Sequence, residues 1–359
     1  MGAVVALISV LMVLLSGLSS GLVVDGVSGL QRSPMDAVAF ESGTKTDSAF
    51  TRSVVTSDQR DAWAARDDVA DAELLGTAIV NAKNEDGAPV DLTLFGVEPG
   101  GFVEPAAAEG SALAGDGEVV LSVSAQSEGI ELGDVLTIDR IGTELEVVGF
   151  TEDQRTFGHM DIGFLPLTTW QEIHSSTVPG QQASPEAYDS ASVVALRGVD
   201  GKLPDLAAGD AAAGTSARTI VEAYDSSPGY TAEIMTMQLI QAFLYAISAL
   251  VVGAFFTLWT VQRTRELAVM RAMGASTRFL LGDGLAQAAI LLVVSVGVGL
   301  AVGLGLGSLL VGTGMPFELE SGPIATGALL LLGLGLLGAA VATVRIARVD
   351  PVTALGENR

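Results

Sequence analysis

Four long apolar stretches, separated by two polar regions of very different size, organise this chain. Residues 1–24 carry no charge, 237–261 are predominantly apolar for 25 residues, 284–311 for 28 and 324–344 for 21. At about 1.5 Å of rise per residue, a helix over any of them reaches the roughly 30 Å needed to cross hydrocarbon. For residues 1–24 the alternative is a cleaved signal peptide, since 16–21 offers small residues for cleavage. That stretch lacks a basic n-region and an AxA-like site, so it reads as a first transmembrane helix with its C-terminal end outside. Glycines at 297, 299, 303, 305 and 307, and at 333, 335 and 338, predict close helix packing, within one subunit or across a dimer.

Residues 25–232 are patterned differently. Thr56 or Ser57 caps a predicted helix through about Ala65, with Asp58 and Asp61 near its first turn. The run AIVNAK, the turn signal Asn84-Glu85-Asp86-Gly87 and the alternating run VDLTLFGV predict a hairpin over 78–97. Further strands are predicted at 118–123, 135–141, 144–150 and 192–196. Thr169 and Glu172 have the spacing of a capping box and predict a short helix opening there. Stretches 105–115 and 207–214, dominated by small residues, read as loops. Strands and helices at irregular intervals predict an α+β domain rather than a wound parallel sheet.

Charge gives the chain a direction. Residues 25–235 hold 36 acidic and 11 basic residues, whereas residues 236–359 hold 6 acidic and 7 basic ones. All seven of those late basic residues fall between Arg263 and Arg278 or after Thr343. By the positive-inside rule that loop and the tail are cytoplasmic, and the acidic domain lies outside the cytoplasm. Its acidity argues against a nucleic-acid partner. The absence of cysteine removes disulfides, thiolate metal sites and cysteine nucleophiles from consideration.

The loop itself is more specific than its charge. Arg263, Arg265, Arg271 and Arg278 occupy sixteen positions; from Arg265 onward Leu267, Met270, Met273 and Phe279 form an apolar pattern between arginines, and Gly274 is placed to stop a helix. Any loop between two spans carries arginines, so charge alone indicates only topology. The order Arg265-Glu266-Leu267-Ala268-Val269-Met270-Arg271-Ala272-Met273-Gly274-Ala275-Ser276, after Arg263, resembles the RxxExxxxRAxGAS loop of the FtsX-like permeases, the MacB-type (type VII) ABC transporter superfamily. The tail 345–355, RIARVDPVTAL, is similar to that family's C-terminal ending. The stretch 227–260 looks most like its DevC and haem-exporter (HrtB-like) branch.

The resemblance implies four transmembrane helices and an α+β extracytoplasmic domain, often split into two lobes, between the first and second. It gives transmembrane helix 1 at 1–24, the external domain at 25–232, helices at 233–261, 284–311 and 324–344, a coupling loop at 262–283, an external loop at 312–323 and a cytoplasmic tail at 345–359. It further implies that Arg265, Glu266, Arg271, Gly274 and Ser276 belong to a coupling helix docking on a separate ABC ATPase subunit, in a homodimer of permeases. ATP-driven closure would push that helix, and the spans would relay the movement outward.

Catalytic chemistry is not expected of this chain. Its lysines are Lys45, Lys83 and Lys202, and none sits in GxxxxGK[ST], so nucleotide hydrolysis is assigned to a partner. His159 and His174 read as solvent-exposed or structural, and the GxSxG match over Gly17–Gly21 lies inside the first apolar run and reads as chance. No cofactor or metal is expected. At the start of the second span, Tyr230, Glu233, Met235 and Met237 admit two readings. One is a wetted glutamate beside packing methionines; the other is a mouth for haem, a flat apolar substrate with anionic propionates, which the resemblance to the haem-exporter branch favours. The function expected is the permease of an ABC exporter of haem or a similar amphiphile. The alternative is a non-transporting FtsX-type regulator that relays ATP hydrolysis to an external partner such as a cell-wall hydrolase.

Overall fold

The computed structural model describes residues 2–262, 266, 269–270, 273–313 and 315–347. Two units are present, one from Met1–Leu22 with Ile234–Arg359 and one from Val23–Glu233.

The first unit is helical. Its helices belong to the elements Gly2–Gln31, Tyr230–Gln262, Thr277–Leu310 and Ser321–Ala347, and each contains a stretch long and apolar enough to cross a membrane. Val5, Met12, Val13, Val252, Phe256, Leu292 and Leu331 form its buried centre. The small-residue stripes act at particular positions. A side chain at Gly299 would meet Ala6 O at 2.4 Å, one at Gly303 would meet Val13 at 2.8 Å and one at Gly338 would meet Ala249 O at 2.6 Å, so these glycines let backbones close on one another. Gly297, Gly305 and Gly333 face open space. Gly17 and Gly21 have the same use: Phe317 and Pro316 sit where their side chains would be, which accounts for the spacing mimicking a nucleophile motif.

The second unit is built on an eleven-stranded mixed sheet. Strand Ala37–Glu41 lies between Thr215–Thr219 and Val193–Gly198, both antiparallel. Strand Val69–Lys83 then carries the sheet onward: its residues 69–75 pair with Val193–Gly198 and its residues 76–83 with Pro89–Val97. Strand Met160–Pro166 runs parallel to Pro89–Val97, and Glu118–Leu121 runs parallel to Glu144–Thr151. The predicted hairpin is thus present but longer. A chain of edge-to-face rings, Phe40–Phe50–Phe157–Phe95–Phe164, with centroids 5.1 to 5.7 Å apart, fills one core and reaches the hairpin that begins at Thr156.

The helix expected near Thr56 is Ser57–Ala64, with the Thr56 N–H donating to Gln59 Oε1 at 3.0 Å. Four expectations are corrected. Helical backbone runs past the expected end at 24 and reaches Gln31 only across a break at Val27 (φ −145°, ψ 17°), and Leu30 beyond the break joins the core of the second unit. The helix placed at Thr169 starts at Leu167, with Pro166 as its N-cap and Thr169 already buried inside it. Stretch 207–214 is not a loop: Asp205 caps a helix over Leu206–Ala213 by accepting from the Ala208 N–H at 3.1 Å, and Gly214 ends it with φ +67°. Gly209 is buried against Trp63, whose ring lies 2.0 Å from where its Cβ would be. Within 105–115, Ala107–Gly110 forms a short strand against Glu144–Thr151.

Candidate functional site: an ionic bridge and a helix stop

In the second unit, one hairpin turn holds a charge cluster together. Strands Thr156–Phe157 and Met160–Pro166 are joined through Gly158 and His159, with φ of +60° and +64°. A left-handed histidine is uncommon, and surrounding bonds hold it in place. Val27 interrupts the helix Gly2–Gln31 with non-helical angles, and the Gly26 carbonyl accepts from the Gly158 N–H at 2.9 Å. Ser28 Oγ accepts from the Thr156 N–H at 2.8 Å and lies 2.7 Å from Thr156 Oγ1. The turn is therefore fastened to residues 26–28 by backbone and hydroxyl groups.

This places the imidazole between two carboxylates. His159 Nδ1 lies 2.8 Å from Asp25 Oδ2, and Nε2 lies 2.8 Å from Glu233 Oε2. The bond to Asp25 holds the His159 pKa well above its ordinary value, up to about 9; partial burial opposes this and Glu233 adds to it. At neutral pH the ring is a cation donating from both nitrogens. Two residues further on, burial pushes the Asp161 carboxyl up to about 6, while the Ser124 hydroxyl, which hydrogen-bonds it, favours the charged form.

The residues singled out in the sequence are distributed as follows. Tyr230 and Glu233 occupy the first turn of helix Tyr230–Gln262. Tyr230 packs edge-on against Tyr224, with ring centroids 6.2 Å apart. Glu233 is bonded to His159, so it is neither unpaired nor simply wetted. Met235 is exposed and Met237 half-buried on the same helix. No group of three or more His, Cys, Asp or Glu side chains among the described residues is arranged to hold a metal. In the basic loop, Glu266 is helical and exposed, and Arg265 and Arg271 lie outside the described residues. Gly274 has φ +98° after a turn in which the Ala275 N–H donates to Met270 O at 3.0 Å, so the predicted helix stop is there. Ser276 Oγ accepts from the Phe279 N–H at 3.2 Å and caps the helix Thr277–Leu310. Val269, Met273 and Phe279 leave an exposed apolar surface around this stop.

Reading the sequence did not find the bridge. His159 read as solvent-exposed or structural, and Asp25 was not singled out. The available signals were Asp25 as the first charge after 24 uncharged residues, and a Gly-His pair between two short apolar runs.

Four apolar helices flanking an α+β domain, with the seven basic residues after position 235 confined to the loop and the tail, define a multi-pass membrane protein whose large domain lies outside the cytoplasm. The chain carries an FtsX-like permease domain: residues 233–351 match the FtsX-like permease C-terminal family. A Staphylococcus epidermidis protein assigned as the hemin transport system permease HrtB is 27% identical over 127 residues, 35% of this chain and 36% of that protein. The chain thus aligns with about a third of that relative's length. An uncharacterized ABC transporter permease of Mycobacterium bovis is 25% identical over 275 residues, 74% of this chain and 69% of that protein. The periplasmic region of MacB from Actinobacillus actinomycetemcomitans superposes with a TM-score of 0.38 at 12% identity, covering 55% of this chain and 92% of that one.

Proposed function

We propose that this protein is the permease subunit of an ABC exporter that works by mechanotransmission with a separate ATPase subunit, as a dimer of permeases. The observation that carries this reading is the match of residues 233–351 to the FtsX-like permease domain, together with the arginine-rich loop and its helix stop at Gly274. ATPase closure pushes the loop around Glu266 and Arg271, and the movement travels along the helices that begin at Gly2 and Tyr230. His159 ties Asp25 and Glu233, which belong to those two helices, to the external hairpin. The substrate we favour is haem or a similar amphiphile, supported by the HrtB-type relatives and by Tyr230, Glu233, Met235 and Met237 near the start of the second span. Glu233 and Met237 stand four residues apart on one helix and project from one face, about 6 Å apart.

The test has two arms. Glu266→Lys and Arg271→Glu, in protein co-expressed with its ATPase, abolish stimulated ATP hydrolysis while expression is kept; normal coupling in both removes the docking role. Purified protein incubated with hemin gives a Soret band that Glu233→Ala with Met237→Ala weakens or shifts. Coupling without hemin binding would leave an ABC permease of another substrate. Coupling with no transported substrate, but with an external hydrolase activated, would select the regulator instead.

A further inference from the structure

A cleft of about 540 Å³ opens in the external unit beside the first turns of two helices, Ser57–Ala64 and Leu167–His174. Ligand sites commonly enclose roughly 300–1,000 Å³, so the space suits a small solute. Ser57 and Arg60 line it from one helix and Leu167 and Thr168 from the other, with Glu98 and Asp116 on neighbouring loops.

Its charges are poorly matched from within. Arg60 is ion-paired with Glu98 through Nη1 at 3.6 Å, outside hydrogen-bond range, and with Asp61 through Nε at 2.7 Å, so its Nη groups hold no hydrogen bond among the described residues. Two other arginines of the unit are more tightly held: Arg66 grips Asp68 through Nε and Nη2 at 3.0 and 2.9 Å, and Arg197 grips Asp71. Asp116 accepts only the Thr168 hydroxyl, at 2.8 Å. The lining therefore offers two carboxylates and one guanidinium with bonding capacity to spare, beside the apolar side chains of Leu74 and Leu167. Around it, residues 25–235 carry 36 acidic against 11 basic residues, and a concave, acidic surface concentrates cations.

We propose that this cleft binds a small soluble amine that also carries a carbonyl or carboxylate acceptor, in the manner of a short basic peptide. The ammonium groups meet Glu98 and Asp116, the acceptor completes the Arg60 guanidinium, and an aliphatic stem lies against Leu74 and Leu167. The site lies wholly within the external unit and is independent of the ATPase-coupled reading above.

The experiment is calorimetric titration of the full-length protein in detergent with trilysine, at about 0.15 M salt so that long-range attraction is screened. One saturable site per chain is expected, weakened about tenfold by Glu98→Gln, by Asp116→Asn and by Arg60→Gln, since each removes a charged partner. Asp116→Asn keeps an acceptor for Thr168, and thermal melting of each variant identifies any that has lost its fold. Glu85→Gln, in the exposed turn of the first hairpin, makes the same change in net charge as the two carboxylate variants but away from the cleft, and leaves affinity unchanged. Absence of saturable binding overturns the proposal. So does a loss of affinity in Glu85→Gln equal to that in the cleft variants, or tighter binding of triglutamate than of trilysine.

Discussion

Asp25 and Glu233 face the two nitrogens of one imidazole: His159 Nδ1 is 2.8 Å from Asp25 and Nε2 is 2.8 Å from Glu233. The two carboxylates belong to the helices that begin at Gly2 and Tyr230. A protonated ring holds them together; a neutral ring donates to one and presents a lone pair to the other.

The bridge makes stability depend on pH. Because the His159 pKa is raised from 6.5 to about 9 on folding, the contribution is complete below pH 6.5 and is lost as pH rises through about 9. The melting temperature of the purified protein is expected to fall across that window. In His159→Gln, which cannot be a cation, this fall is missing and the melting temperature at pH 6 is lower than in the native protein. An unchanged pH profile in the variant would show that the bridge contributes nothing.

Asp161 acts in the opposite sense and in a lower window. Burial raises its pKa from 3.8 to about 6, so its ionisation opposes folding, and stability declines as pH rises from about 4 to about 6. Asp161→Asn keeps an acceptor for Ser124 and removes the charge. Its melting temperature at pH 7.5 is expected to exceed that of the native protein, with the advantage gone at pH 4.

Gly209 tests the packing of the helix Leu206–Ala213. Replacing glycine by alanine inside a helix normally stabilises by about 1 kcal/mol. Here the new methyl would fall 2.0 Å from the Trp63 ring, which is fully buried and pinned by its Nε1–H to Thr215 Oγ1 at 3.0 Å. Overpacking costs about 1–3 kcal/mol, so Gly209→Ala is expected to destabilise, as read by denaturant unfolding. A neutral or stabilised variant would mean that the ring has room to move.

Topology is tested by a single cysteine. The chain contains none, so Ala275→Cys reports its own exposure. In intact cells it is expected to resist a membrane-impermeant maleimide and to react after permeabilisation, whereas Glu85→Cys in the external hairpin turn reacts at once. Labelling of position 275 in intact cells would reverse the assignment.

The sequence by itself determined what depends on neighbours along the chain. Uncharged runs of 21 to 28 residues can bury their backbone in lipid only as helices, alternation with a turn signal at Asn84–Gly87 fixes a hairpin, and Gly274 supplies the angle that a helix stop requires. Tertiary structure decided the rest. Stretch 207–214 reads as a loop from its small residues, yet it is a helix in which Gly209 packs against the distant Trp63 ring. His159 acquired its role from partners 134 and 74 positions away in sequence. They meet because Val27 breaks a helix, the Gly26 carbonyl takes the Gly158 N–H, and the turn aims one ring at two carboxylates. Periodicity records which face of an element is apolar; it carries no information about which distant charges a fold brings within 3 Å of each other.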